Sequence, residues 1–378
     1  MLPTSQISIP CTLMRGGTSK GPFFLANDLP SDAQTRDRVL LAAMGSPDPR
    51  QIDGIGGADP LTSKVAIVSR SSRPGIDVDY LFAQVSVDRP LVDVTPTCGN
   101  MLAGVGPFAI GCGLVAPRAP ITPVTIYMVN TGTVAVAHVP TPGGEVTYAG
   151  EASIAGVPGT AAAIRIDFRD TAGSVCGALL PTGNMTDQID GIEATLIDNG
   201  MPMVVLRASD LGKSGYEAPA DLNSDQELKT RLEAIRILAG EHMGLGDVRS
   251  KVVPKITLIA PPQAGGHVMT RTFIPHKCHS AIGVLMAVTV GTACILPRSI
   301  AQGVARPQDG SVQRLSIEHP SGEFSVEFQV EHNGGELKVI RSSLIRTARA
   351  LFRGELLVPA SVWLGKHSLS AAVAPPTT

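Results

Sequence analysis

Three short segments of the chain carry side chains that together could hold an anion and move a proton. Met14-Arg15-Gly16-Gly17-Thr18-Ser19-Lys20-Gly21 places two adjacent glycines among hydroxyls and cations, so that backbone N–H groups can converge on a negative charge. The G-x-x-x-x-G-K-[ST] order of a phosphate loop is absent. A second glycine-rich turn runs from Gln51 to Ser63-Lys64, and its lysine enters the apolar run Val65-Ala66-Ile67-Val68. Partial burial at such a strand start disfavours the ammonium form, which makes Lys64 a candidate general base. Cys98 precedes Gly99-Asn100-Met101, where a buried helix would begin and its N-terminus would favour a thiolate able to exchange protons with a carbon acid. The plain alternatives are a solvated turn, a strand-edge lysine and an inert buried cysteine.

Cys278 stands in a similar setting, between His276-Lys277 and His279-Ser280, and opens a second apolar stretch of helical length. The segment suits an anion better than a metal, because the Glu of H-E-x-x-H and any evident carboxylate partner are missing. Gly104 to Ala109 spells G-x-G-x-x-A, but inside an apolar stretch with no acidic residue about 20 positions on, so a dinucleotide site is discounted.

These groups need a scaffold, and period-two alternation supplies most of it. Phe324, Val326, Phe328 and Val330 alternate with polar residues, then Asn333-Gly334 leads to Leu337 and Val339, a hairpin pattern. Ile76–Val87, Val124–Val139 and Ile256–Ile259 also read as strands, so sheet dominates. Two amphipathic helices are expected, one capped at Ser31 with Gln34, the other at Ser224 with Glu227 and faced by Leu228, Leu232, Ile235 and Leu238. The two cysteine-led apolar stretches differ from these. A helix apolar all round is a buried one, and two of them 180 residues apart suggest two similar halves. Residues 141–159 read as a loop insertion, and the tail 368–378 as disordered.

At 378 residues the chain is long enough for more than one core without disulfides or metals. Its 31 basic and 33 acidic residues exclude a basic nucleic-acid footprint. The absence of an apolar run of about 20 residues and of a leader pattern points to a cytoplasmic protein with no membrane partner. Six scattered cysteines without a Cys-x-x-Cys pair argue against a disulfide framework or zinc ribbon.

Taken together, MRGGTSKG at 14–21, GSPDPRQIDGIGGADPLTSK at 45–64 and CGNMLAGVGPFA at 98–109 resemble the family containing 4-oxalomesaconate tautomerase and 2-methylaconitate cis-trans isomerase. The resemblance continues through Asp198-Asn199-Gly200-Met201-Pro202, the 276–283 segment and Arg346-Thr347-Ala348-Arg349. It implies an α+β, diaminopimelate-epimerase-like fold: two similar domains, each a mostly antiparallel sheet wrapped around a central apolar helix, with the active site in the cleft between them. The domains would be 1–184, with 350–367 returning to it, and 185–349. The family's catalytic pair falls on Lys64 and Cys98. Arg15, Thr18, Ser19, Lys20, Ser63, Gly99, Asn100, Met101, Arg271, Lys277, His279 and Ser280 are the implied substrate-binding candidates. Cys278 departs from the A-C-G-T-G turn of the epimerase relatives, so a two-cysteine racemase mechanism is not expected.

The implied chemistry is a 1,3-proton shift on a polycarboxylate, needing no metal or organic cofactor. The intact 47–64 string looks more like the oxalomesaconate branch, which would place the protein in bacterial degradation of gallate or protocatechuate from lignin. Isomerisation of 2-methylaconitate or aconitate is the alternative reaction, and a non-catalytic tricarboxylate-binding accessory protein the alternative of another class. The partner is then a small polycarboxylate, with a homo-oligomer left open.

Overall fold

The computed structural model describes residues 5–365, except 96, 170, 308, 309, 334 and 335. In chain order its main elements are β1 (Gln6–Gly16), β2 (Ser19–Leu25), α1 (Ala33–Met44), β3 (Lys64–Arg70), β4 (Val78–Val85), β5 (Val92–Asp93), α2 (Gly99–Gly111), β6 (Ile121–Met128), β7 (Thr133–Pro140), β8 (Ile164–Arg169), β9 (Asp187–Ile189), β10 (Ile192–Asp198), β11 (Pro202–Arg207), α3 (Pro219–Ser224), α4 (Gln226–His242), β12 (Lys255–Ala260), β13 (Val268–Phe273), α5 (Val284–Ile295), β14 (Val312–His319), β15 (Gly322–Asn333), β16 (Glu336–Arg346) and β17 (Ala348–Pro359). One compact unit runs to Ile166 and resumes at Arg346; the other is Asp167–Ile345.

The two units repeat one plan. In the first, β1–β2 is antiparallel, β2–β3 parallel, β3–β4 antiparallel, β4–β6 parallel and β6–β7 antiparallel. In the second, β10–β11, β11–β12, β12–β13, β13–β14 and β14–β15 follow the same alternation. The sheets are therefore more mixed than the hairpin signals alone suggest. Each wraps one apolar helix: all of α2 except Asn100 and Gly111 is buried, and all of α5 except Val284. Glycines let the strands close in. A Cβ at Gly104 would strike the Phe23 ring, and one at Gly291 the Phe328 ring.

The opposite face of each sheet is covered by an amphipathic helix, where Val39, Leu40, Ala43 and Met44 of α1 join Ile9, Phe24, Val65 and Val358. Both covering helices start one residue later than the Ser-based signatures predict. Asp32 caps α1 by accepting from Thr35 N at 2.7 Å, and Asp225 caps α4 by accepting from Leu228 N at 2.9 Å. In each case an aspartate, an equally good cap, follows the serine. Leu238, expected on the buried face of α4, is exposed; Arg236 is buried instead, paired with Glu233 at 2.7 Å and donating to Val248 O at 2.9 Å.

The expected single strand Val124–Val139 is the hairpin β6–β7. The expected 324–339 hairpin is present, with Asn333 opposite Glu336, while Gly334 lies outside the described residues. The 368–378 tail also lies outside them. β17 pairs antiparallel with β1 along its length. No helix among the described residues is long and apolar enough to cross a membrane.

Candidate active site

Cys98 is the N-cap of α2, and its carbonyl accepts the first helical bond from Leu102 N at 3.0 Å. The N–H groups of Gly99, Asn100 and Met101 have no acceptor among the described residues, as the first turn of a helix dictates. Tyr80 steadies this corner, donating from its hydroxyl to Cys98 O at 3.3 Å. Burial first, and the nearby Cys98 second, push the Tyr80 phenol well above its ordinary range, so it stays a neutral donor.

Three glycines press the 14–21 hairpin onto this corner. A Cβ at Gly16 or Gly17 would collide with Asn100, and one at Gly21 with the Lys64 carbonyl. Their role is thus close approach of backbone to α2 and β3, rather than an open anion nest alone. Asn100 Nδ2 donates to Thr18 Oγ1 at 3.0 Å, which ties the turn to the helix start. Ser19, opposite Gly16 in the hairpin, is buried, and its hydroxyl has no hydrogen-bond partner among the described residues. Such a group is uncommon enough to mark a place for a ligand or water.

Lys64 begins β3 and lies on its α2 face, in line with Ala66 and Val68. Its ammonium donates to Gln84 Oε1 at 2.5 Å and sits 5.2 Å from the centroid of the Phe82 ring. Gln84 is opposite Lys64 in the β3–β4 ladder, and its amide nitrogen donates to Ser63 O at 2.9 Å and Pro60 O at 3.1 Å. Those two bonds fix which way the amide points, so its oxygen must face Lys64. Sequence reasoning missed Gln84 and Phe82, because only the register reveals them. Gln84→Leu is expected to lower kcat by about 10- to 100-fold with little change in KM. Gln84→Glu, which keeps an oxygen acceptor opposite Lys64, is expected to retain more of kcat than Gln84→Leu; steady-state kinetics of both variants check this.

Other candidates lie elsewhere. The Ser63 hydroxyl is fully buried, donating to Val85 O at 2.9 Å and accepting from Gln51 Nε2 at 2.7 Å, so it braces the turn behind Lys64. Arg15 and Lys20 are one rung from Gly16 and Ser19, hence on the opposite face of the hairpin, and Arg349 stands across from Arg15. Arg15 donates to Gly17 O at 2.8 Å and to Thr347, and burial followed by the Arg349 charge lowers its pKa. No carboxylate lies within salt-bridge distance of this three-cation row among the described residues.

In the second unit, Arg271 is buried and occupied by Glu217 O at 2.7 Å and Thr270 O at 2.9 Å. Lys277, His279 and Ser280 are exposed, and His279 Nδ1 accepts from Ala281 N at 2.9 Å. Cys278 does not open the helix, as the sequence suggested; Gly283 caps α5. Cys278 is packed in the core beside Phe273, and burial pushes its thiol up to about 11, against a smaller opposing effect of Arg271. Cys278 is thus a buried structural thiol, whereas Cys98 is half-buried. No three His, Cys, Asp or Glu side chains cluster as metal ligands among the described residues.

The repeat reveals one further group. Lys255 begins β12, the third strand of the repeated pattern that starts at β10, as Lys64 begins β3, and alternation turns it to the α5 face. Burial, then the Arg236 charge, pushes its ammonium down to about 8. Because the unfolded chain binds more protons above that value, stability should rise between pH 8 and about 10.5. Lys255→Met is expected to abolish that rise and to add about 3 kcal/mol at pH 7. Urea unfolding at pH 7 and pH 10 checks both.

The model of the PrpF protein family matches residues 6–359. The chain belongs to the PrpF family. It is 58% identical over 361 residues to the 4-oxalomesaconate tautomerase of Pseudomonas putida, covering 95% of this chain and 99% of that protein. It is 60% identical over 351 residues to the (4E)-oxalomesaconate Delta-isomerase of a Novosphingobium species, covering 93% and 98%. A 2-methyl-aconitate isomerase from Shewanella oneidensis is 39% identical, covering 94% and 98%.

The crystal structure of a methylitaconate-delta-isomerase superimposes with a TM-score of 0.81 at 35% identity, covering 99% of this chain and all of that one. A hydroxyproline epimerase, at 12% identity and a TM-score of 0.51, shares the fold alone. This PrpF-family chain is thus an isomerase with the α+β epimerase-like architecture.

Proposed function

We propose that the protein is a 4-oxalomesaconate tautomerase that moves a proton between two carbons, or between carbon and oxygen, of an unsaturated polycarboxylate, with Lys64 and Cys98 as the acid–base pair. The observation that carries this reading is the placement of Cys98 as cap of a buried helix whose first N–H groups have no acceptor among the described residues, with Lys64 held on the face that helix packs against. Carboxylates beside C=C or C=O acidify the allylic C–H. One group removes that proton, the electron pair spreads into a dienolate, and the other group returns a proton at the far end, shifting the double bond. The N–H groups of Gly99, Asn100 and Met101, with the Ser19 and Thr18 hydroxyls, would stabilise the developing oxyanion. The atoms balance with substrate and two protonation states alone, so the reaction as proposed uses no cofactor.

The higher identity to the oxalomesaconate enzymes supports that substrate and a place in gallate or protocatechuate breakdown. The test is kcat/KM for 4-oxalomesaconate, 2-methylaconitate and cis-aconitate measured side by side. A preference of 100-fold or more for the first is expected. Preference for an aconitate would transfer the same residues to the alternative reaction, and no turnover of any would leave a binding protein.

A further inference from the structure

The glycine-rich string 45–64 gives only its last residue to the proposed acid–base pair, yet its other residues are arranged around one side chain. Gln51 is 1% exposed, while the next residue, Ile52, is 71% exposed. The Gln51 amide makes three hydrogen bonds. Its Nε2 donates to Ser46 Oγ at 3.0 Å and to Ser63 Oγ at 2.7 Å, and its Oε1 accepts from Ala58 N at 2.9 Å. A backbone N–H can only donate, and the Ser63 hydroxyl already gives its proton to Val85 O, so the amide can sit only one way round. It thereby ties the chain just after α1 to the residue before Lys64.

The backbone is strained to allow this. Gln51 has φ 46° and Ala58 φ 57°, left-handed values that residues with a Cβ rarely adopt. Such residues persist only where their surroundings over-determine them, and they cluster at functional sites. Here Ile55 N donates to Ala43 O at 3.0 Å and Gly56 N to Met44 O at 3.3 Å, which holds the turn on the end of α1. Two glycines make the room: a Cβ at Gly54 would strike the backbone of Met44 and Gly45, and one at Gly56 would strike the Gln51 amide itself.

The amide fixes the rung of the β3–β4 ladder that carries Lys64. Ser63 Oγ donates to Val85 O at 2.9 Å, and Ser63 O accepts from Val85 N at 3.1 Å and from Gln84 Nε2 at 2.9 Å. Gln84 is the residue whose Oε1 receives the Lys64 ammonium. A shift of Ser63 would therefore move both the Cα of Lys64 and the acceptor of its side chain.

We infer that Gln51 is a positioning residue for the proposed reaction, its amide acting through Ser63 to set where the Lys64 ammonium stands. The inference rests on Lys64 belonging to the acid–base pair.

Steady-state kinetics with 4-oxalomesaconate tests it, using Gln51→Leu, Gly56→Ala and Lys64→Met, and Lys64→Met combined with each of the first two. Gln51→Leu removes all three bonds at similar volume, whereas Gly56→Ala keeps the amide and pushes it aside. Each is expected to lower kcat about 10- to 100-fold with KM within about threefold. Neither should lower the residual kcat of Lys64→Met further, because the two residues act on one path. Thr122→Val removes an equally buried, hydrogen-bonded hydroxyl from β6 of the same unit, and should lower the melting temperature while leaving kcat within about twofold. Thermal melts establish that each assay is run on folded protein. Wild-type kcat in either folded Gln51→Leu or Gly56→Ala while Lys64→Met is inactive would overturn the inference. So would a loss that persists in full in the Lys64→Met background, or an equal loss in Thr122→Val. Wild-type kcat in Lys64→Met would instead remove the acid–base reading, and the inference with it.

Discussion

Cys98→Ser is expected to fold as the wild type does and to lose about 10²- to 10⁴-fold in kcat, the range that one positioned acid–base group supplies. The substitution separates structure from chemistry cleanly. Serine is a preferred helix cap, so α2 should start at least as firmly as with cysteine, whose side chain makes no capping bond. The Tyr80 bond to the residue-98 carbonyl does not involve the side chain. What disappears is the thiol, one half of the proposed acid–base pair. Steady-state kinetics with a thermal melt checks this; a kcat within threefold of wild type would remove Cys98 from the mechanism.

Lys64→Met is expected to reduce kcat about 10³-fold and to leave KM within a few-fold. Methionine keeps the length of the side chain and can rest its sulfur against the Phe82 ring, where the ammonium now lies. The Gln84 amide oxygen loses its donor, but its two nitrogen bonds to Pro60 and Ser63 remain, so the turn should persist. A large rise in KM with kcat preserved would instead mark Lys64 as a binding cation. Steady-state kinetics over a substrate range distinguishes the two.

Much of this was legible in the amino-acid order. The all-apolar stretch after Cys98 could only be a buried helix, and its counterpart after residue 278 exposed the duplication. Lys64 at the head of an apolar run was legible for the same reason. Cys278 misled because both stretches open with cysteine, whereas in the second the chain makes a bridge to Phe273 and starts its helix only at Gly283. Ser63 and Arg271 looked available because sequence shows a side chain's chemistry but not whether Val85, Gln51 or Glu217 already occupies it. Gln84 was invisible since its significance arises from ladder register with Lys64, a long-range pairing that local pattern does not encode. Lys255 escaped for a related reason. Its likeness to Lys64 emerges only when the two sheets are laid out strand by strand.

The division of labour between Lys64 and Cys98 is tested most directly by proton NMR of the reaction in deuterated water with wild type, Cys98→Ser and Lys64→Met. Two distinct groups, one removing and one returning the proton, predict that wild-type product carries solvent deuterium at the newly protonated position and that both variants lose turnover, while only the variant that keeps the base still exchanges the substrate proton for deuterium. Product formed without solvent deuterium, or undiminished exchange of the substrate proton in both variants, would contradict that mechanism.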